Sequence, residues 1–412
     1  MQANQTPVAN RLHIALFGRR NVGKSSLINA LTNQPIAVVS SQPGTTTDPV
    51  HKTMELLPIG PVVIIDTPGL DDLGELGALR IQQTLRVLNK TELALLVIEP
   101  MHGVTSEDLE LIQEFRHRNL PFVAILNKID LLDDARYAEI STQIPVWEKL
   151  LGQKLVQISA MQNQGLDELR HQIILHAPQA TNQFPIISDL LQPGQVVVLV
   201  IPIDSGAPKG RLILPQQQTL REILESDAVA VVTKEHQLAQ TLNSLTQPPA
   251  LVVTDSQVFG KVNAILPPEI PLTSFSILFA RHKGELEPFL RGIRALANLI
   301  PNGKVLITEG CTHHRQGEDI GKIKIPNWLR QIAGENLEFH WASGSFFPTE
   351  LEQYDLVVHC GGCMLNSREM KYRLLCCQQA DVPVVNYGML IAYVHGILDR
   401  ALAPLKAHHS SF

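Results

Sequence analysis

Leu12-His-Ile-Ala-Leu-Phe17 runs without a break into Gly18-Arg-Arg-Asn-Val-Gly-Lys24-Ser25 and then into Ser26-Leu-Ile-Asn-Ala-Leu31. The three pieces read as an apolar strand, a glycine-bearing loop and a helix, the order in which a chain builds a phosphate cradle. Glycines let backbone N–H groups face the phosphates, Lys24 reaches the β and γ oxygens, and the Ser25 hydroxyl ligates Mg2+. The helix that begins there adds the positive end of its dipole. Gly18, Asn21, Val22, Gly23, Lys24, Ser25 and Ser26 are therefore the expected phosphate-binding residues.

Further along, the apolar run Pro61–Ile65 leads into Asp66-Thr67-Pro68-Gly69. Asp66 can hold Mg2+ through water, and the Gly69 N–H can sense the γ-phosphate. A second run, Pro121–Leu126, delivers Asn127-Lys128-Ile129-Asp130. A carboxylate at Asp130 can accept both N1–H and N2–H of guanine, which adenine does not offer. Leu155–Ile158 ends in Ser159-Ala160, completing the base pocket. Gly44-Thr45-Thr46-Thr47-Asp48 lies where a first switch loop belongs, with Thr45 and Thr46 beside the nucleotide and Thr46 as the Mg2+ ligand. Lys24, Thr46, Asp66 and Gly69 are the expected catalytic set for GTP hydrolysis to GDP. This set resembles the TrmE/Era group of GTPases. Leu70 stands where a Ras-like protein has its water-orienting glutamine. The resemblance implies that a K+ ion held partly by Asn21 supplies the missing charge, with Asp71, Asp72 and Glu75 as candidates to position water.

Composition sets the frame. A chain of 412 residues with 44% hydrophobic and 18% charged residues suits several globular domains, and three are expected: 1–178, 183–268 and 269–412. No stretch is long and apolar enough to span a bilayer, and the opening residues do not read as a secretory signal, so a cytoplasmic protein is expected without a membrane partner. The net charge of −6 argues against a large nucleic-acid footprint. All five cysteines lie beyond position 310, which fits metal ligation in a reducing compartment better than a disulfide framework.

After the polar linker around Ala177–Pro185, strand-like runs at Val196–Ile201, Ala228–Val232 and Ala250–Thr254 alternate with helical ones at 218–224, 237–245 and 257–264. This is a small α/β unit with a parallel sheet and no visible catalytic set. Asp204, Lys209 and Arg211 read as a solvated loop. An oligomerisation role is the expectation for the segment.

In the last third an apolar run covers Ser274–Ala280, and a helix is expected over Leu286–Ile300. Lys304–Thr308 reads as a strand whose carboxyl end carries Cys311, within Glu309-Gly310-Cys311-Thr312-His313-His314. Asp355–His359 is another, ending in His359-Cys360-Gly361-Gly362-Cys363. If the two strands are neighbours, three thiols converge where α/β sheets bind ligands. Three cysteines with one weaker ligand suit a 4Fe-4S cluster or a Cys3His zinc site, and His313, His314, His359 and Glu318 compete for the fourth position. Any of these histidines can instead orient a ligand. Cys376 and Cys377 lie in a helical run and read as core.

Cys311-x-His313, then His359-Cys360-x-x-Cys363, behind a TrmE/Era-like GTPase and a middle domain, resembles the HydF family of FeFe-hydrogenase maturation GTPases. The resemblance implies an α/β chain of three domains: a P-loop GTPase, a small α/β dimerisation domain and an α/β iron-sulfur domain. It also implies a homodimeric scaffold and carrier, working with two radical-SAM maturases, that delivers a diiron subcluster to apo-hydrogenase. The rival reading is an RNA-modification or ribosome-assembly GTPase with a structural zinc module. The acidic balance and the lack of a recognisable RNA-binding module weigh against it.

Overall fold

A computed structural model describes residues 7–32, 50–68, 75–178, 184–203, 212–311 and 320–406. The chain forms two compact units, Met1–Thr181 and Asn182–Phe412. The architecture is α/β throughout, as the strand and helix periodicities require.

The first unit is built on a six-stranded sheet in the order β2-β3-β1-β4-β5-β6. Its strands are β1 (Leu12–Phe17), β2 (Val50–Leu56), β3 (Gly60–Asp66), β4 (Leu93–Ile98), β5 (Phe122–Leu126) and β6 (Leu155–Gln157). Only β2 runs antiparallel, pairing with β3 at the edge. The central strands are unbroken apolar runs because helices cover both faces, giving one buried cluster on each side of the sheet. The phosphate loop, Asp66, Asn127–Asp130 and Ser159-Ala160 lie at or just after the carboxyl ends of the parallel strands β1, β3, β5 and β6. The chain leaves β1 for β3 on one side and crosses to β4 on the other, and an α/β sheet opens its ligand crevice at such a reversal.

The second unit holds two four-stranded sheets, each wholly parallel. The first has the order β10-β9-β7-β8, from β7 (Val196–Val200), β8 (Val229–Thr233), β9 (Leu251–Thr254) and β10 (Leu272–Ser274). The other has the order β12-β11-β13-β14, from β11 (Lys304–Glu309), β12 (Glu338–Ser343), β13 (Leu356–His359) and β14 (Val384–Asn386). One continuous core runs through both, so segments 183–268 and 269–412 share buried side chains. Arg281 pins the incoming chain to this unit: it makes a two-pronged ion pair with Asp189 at 2.8 and 2.9 Å and donates to the carbonyls of Pro185 and Ile186.

The apolar run Ser274–Ala280, left without an element by its pattern, falls in the helix Phe275–Lys283, capped by the Ser274 hydroxyl on the Ile277 N–H. Almost every residue of that helix is buried, so it lacks the polar stripe that separates a helix from a strand by period.

Candidate functional site

The first site forms around the helix Lys24–Thr32. Lys24 is buried, and its Nζ donates to the carbonyls of Gly18 at 2.8 Å and Arg19 at 2.7 Å, so the ammonium sits inside its own loop. Ser25 and Ser26 occupy the first turn. Ser25 Oγ donates to Asp66 Oδ2 at 2.6 Å, bringing together the two groups expected at Mg2+. The other oxygen, Oδ1, is buried without a hydrogen-bond partner among the described residues. Burial raises the Asp66 carboxyl above its ordinary pKa, against the Ser25 hydrogen bond and Lys24. A buried carboxylate with one unused oxygen beside a hydroxyl fits a hard divalent cation. When bound, Mg2+ neutralises charge on the β and γ phosphate oxygens.

Asn127 ties three loops into one. Its Nδ2 donates to the Val22 carbonyl at 2.9 Å, and its Oδ1 accepts from the Ala160 N–H at 3.1 Å. Gly23 has φ +93°, and a Cβ there would stand 2.3 Å from Asn127 Nδ2, so the phosphate loop can lie this close only as glycine. Ser159 is fully buried and accepts from the Gln162 N–H. Asp130 keeps a buried Oδ1 without a partner among the described residues, an unused acceptor. Asn21 sits at φ +60° and lines a cavity of about 380 Å³ with Arg19, Arg20, Glu99, His102 and Asp108.

Three contacts here were not legible as motifs. Glu99, just past β4, accepts from Lys128 Nζ at 2.7 Å and lies 2.6 Å from His102 Nδ1. Thr67 Oγ1 donates to the Leu16 carbonyl, stitching the loop after β3 onto β1. The only sequence signal for Glu99 is its place at a strand's carboxyl end. Thr45, Thr46, Gly69, Leu70, Asp71 and Asp72 lie outside the described residues, as does the side chain of Glu75.

The second site is at the carboxyl ends of β11 and β13, which are adjacent and parallel, with Thr308 opposite His359. Cys360 Sγ accepts from the Gly310 N–H at 3.1 Å and the Gly362 N–H at 3.4 Å. Gly310 directly precedes Cys311, so the two strands' sulfur-bearing ends meet at that bond. Gly362 has φ +63°, and a Cβ would stand 2.2 Å from Met370 Cε. Burial raises the Cys360 thiol, opposed by its two N–H donors. It pushes Cys363 up to about 12, helped by the charge of Cys360 and opposed by Lys283.

His359 is fully buried. Its Nδ1 lies 2.7 Å from the Cys360 carbonyl oxygen and its Nε2 lies 3.4 Å from Arg373 Nη1. Burial, then the Arg373 charge, lowers its pKa to about 3. Cys377 is core, while Cys376 is half-buried. His313, His314 and Glu318 lie outside the described residues. Among the described residues no three His, Cys, Asp or Glu side chains gather as a metal-binding group. The donor chemistry nonetheless suits a thiolate-bound centre: Cys360 and Cys363 share one short loop, backbone N–H groups already face a sulfur, and Cys311 lies two residues past the end of the neighbouring strand. An iron-sulfur centre there would supply an iron with a non-cysteine position.

No helix among the described residues is long and apolar enough to cross a membrane. Comparison with known proteins divides the chain in the same order as its motifs. Residues 13–128 match the model of a 50S ribosome-binding GTPase family. Curated relatives match the same end: the tRNA modification GTPase MnmE of Desulfotalea psychrophila is 34% identical over 165 residues, 39% of this chain and 34% of that protein. The GTPase Der of Cyanothece sp. is 32% identical over 173 residues, 41% of this chain and 37% of that protein. The chain thus spans about a third of the length of these relatives. Among solved structures, Era of Aquifex aeolicus is 21% identical with a TM-score of 0.37, covering 53% of this chain and 91% of that one. The G domain of FeoB from Methanococcus jannaschii is 26% identical with a TM-score of 0.32, covering 40% and 97%. Behind the GTPase domain, residues 186–284 match the hydrogen maturase F dimerization domain and residues 287–404 its tetramerization domain. With these two models taking in more than half of its residues in order behind a GTPase domain, the chain belongs to the hydrogen maturase F family.

Proposed function

We propose that this protein is a GTP-hydrolysing scaffold that carries a 4Fe-4S cluster on Cys311, Cys360 and Cys363 and uses it to assemble and deliver the diiron subcluster of FeFe-hydrogenase. The observation that carries the cluster reading is the pair of N–H donors, Gly310 and Gly362, on Cys360 Sγ at the junction of β11 and β13. Hydrogen bonds to sulfur stabilise thiolate charge and tune an iron-sulfur centre. Burial otherwise disfavours these thiolates, so a metal is what would keep them ionised.

GTP and Mg2+ act in the first unit, with Lys24, Ser25 and Asp66 at the phosphates and Asn127, Asp130 and Ala160 at guanine. Thr46 and Gly69 complete that set, Leu70 cannot orient the attacking water, and K+ at Asn21 supplies the charge that an arginine finger would otherwise bring. Self-association runs through segment 183–268 as a homodimer, and the cluster belongs to segment 269–412. The partners are two radical-SAM maturases and the apo-hydrogenase. GTP state biases those contacts rather than bond formation at iron.

The test is anaerobic reconstitution with iron and sulfide, followed by metal analysis and electron paramagnetic resonance of the reduced protein. A stoichiometric 4Fe-4S signal that disappears in Cys360→Ser supports the reading. Tight zinc without iron, together with co-purifying RNA, would move the protein to the RNA-linked class.

A further inference from the structure

Cys360 is held from behind by a line of buried groups that neither nucleotide binding nor cysteine ligation uses. Arg373, on the helix Ser367–Gln379, has only 1% of its side chain exposed. Its Nη2 donates to Glu369 Oε1 at 2.7 Å and to the Gly344 carbonyl at 2.5 Å. Its Nη1 lies 3.5 Å from Thr308 Oγ1 and 3.4 Å from His359 Nε2, and the guanidinium stands 5.2 Å from the centre of the Phe347 ring. These contacts come from its own helix, from β11, from β13 and from the segment after β12, so the cation has one available pose.

The donor inventory fixes a proton. A guanidinium carries donors only, so the His359 nitrogen facing it must be the acceptor. The ring proton then belongs on Nδ1, which lies 2.7 Å from the Cys360 carbonyl oxygen, a group that can only accept. Both ends demand the same neutral tautomer. An imidazole held this way has no lone pair left for a metal.

We propose that Arg373 is a positioning residue of the sulfur site: it fixes His359 as the Nδ1–H tautomer, and through the His359–Cys360 hydrogen bond it sets the loop that presents Cys360 and Cys363. His359 is then a strut rather than a ligand, and coordination falls to the cysteines and to donors other than His359. The inference rests on the cluster reading above for its consequence, but not for its geometry.

The test therefore has a metal-free arm. Full-length protein labelled with 15N-histidine is examined by NMR without metal at neutral pH, with the His359 signal assigned by its loss in His359→Asn. The expected result is a single Nδ1–H tautomer in the wild type and in Arg373→Lys, with both tautomers present in Arg373→Met. Because Arg373→Met strands Glu369, the double variant Arg373→Met/Glu369→Gln is measured beside it, and a cooperative denaturant melt of the second unit reports that each variant is folded. After iron and sulfide reconstitution, loss of iron to a chelator should be about tenfold faster in Arg373→Met, with Arg373→Lys intermediate. A wild-type His359 carrying its proton on Nε2, or an Arg373→Met spectrum identical to wild type, would overturn the proposal. So would strong hyperfine coupling of the His359 nitrogen to a reduced cluster. If the wild type takes up no iron, the cluster reading fails, while the metal-free arm still decides the role of Arg373.

Discussion

The phosphate loop and the cysteine loop stand in equivalent places, each at the carboxyl ends of neighbouring parallel strands, yet they are held by opposite means. Around Lys24 the fixing contacts are local or come from other nucleotide loops: the lysine bonds carbonyls of its own loop, and Asn127 bonds Val22 and Ala160. Around Cys360 the loop supplies one N–H from Gly362, and the rest comes from groups with no ligand role, through Gly310, His359 and Arg373. A site that meets a diffusible nucleotide assembles its ligand-binding groups into a self-supporting rim. One suited to retaining a metal centre puts its rigidity behind the ligands.

That contrast breaks first if the two chemistries are not separable. Lys24→Ala should lower GTP turnover by about 10²–10³-fold, on the scale of removing one preorganised transition-state donor, while the iron content of reconstituted protein stays at the wild-type level. Cys360→Ser should do the reverse, losing the cluster signal with GTP turnover kept; loss of turnover there would join the sites.

Smaller effects sharpen it. Gly362→Ala forces a side chain into a left-handed backbone and against Met370, so a cost of about 1–3 kcal/mol to the second unit is expected in denaturant melts, with no change in GDP affinity. Replacing K+ by Na+ at fixed chloride should lower GTP turnover severalfold without altering iron retention. An unchanged rate would remove the ion from Asn21.

The smallest effect concerns Asp66. Burial holds its carboxyl above the usual range, so its contribution to folding is present at low pH and is lost as pH rises through the raised value. Metal-free wild type therefore carries a cost at neutral pH that Asp66→Asn lacks. The variant should melt a few degrees higher without Mg2+ and lose that advantage when Mg2+ and GDP are added to both. A lower melting temperature in metal-free Asp66→Asn would show that the charge is not a burden there.

Much of the first site was legible because each motif is short, contiguous and tied to the end of one strand, so Lys24, Asp66 and Asn127 could be read where they stand. In the second unit, the sulfur-bearing ends of β11 and β13 were legible for the same reason. The helix Phe275–Lys283 was not, since burial on all sides erases its period. Arg373 was not, since an arginine four residues after Glu369 on a helix reads as an ordinary solvent-facing pair. What buries that pair is packing against residues far away in sequence, Thr308 and Gly344, which no local pattern announces.

The amide of Asn127 has a further consequence, a kinetic one. Because the same side chain bonds Val22 and Ala160, the phosphate loop and the base loop are tied through one group. A wedge that displaces the Asn127 side chain from both neighbours loosens both ends of the pocket together and speeds departure of GDP and GTP alike. An exchange factor acting there would be blind to which nucleotide it expels, and any preference between the two must come from contacts that only the third phosphate can make.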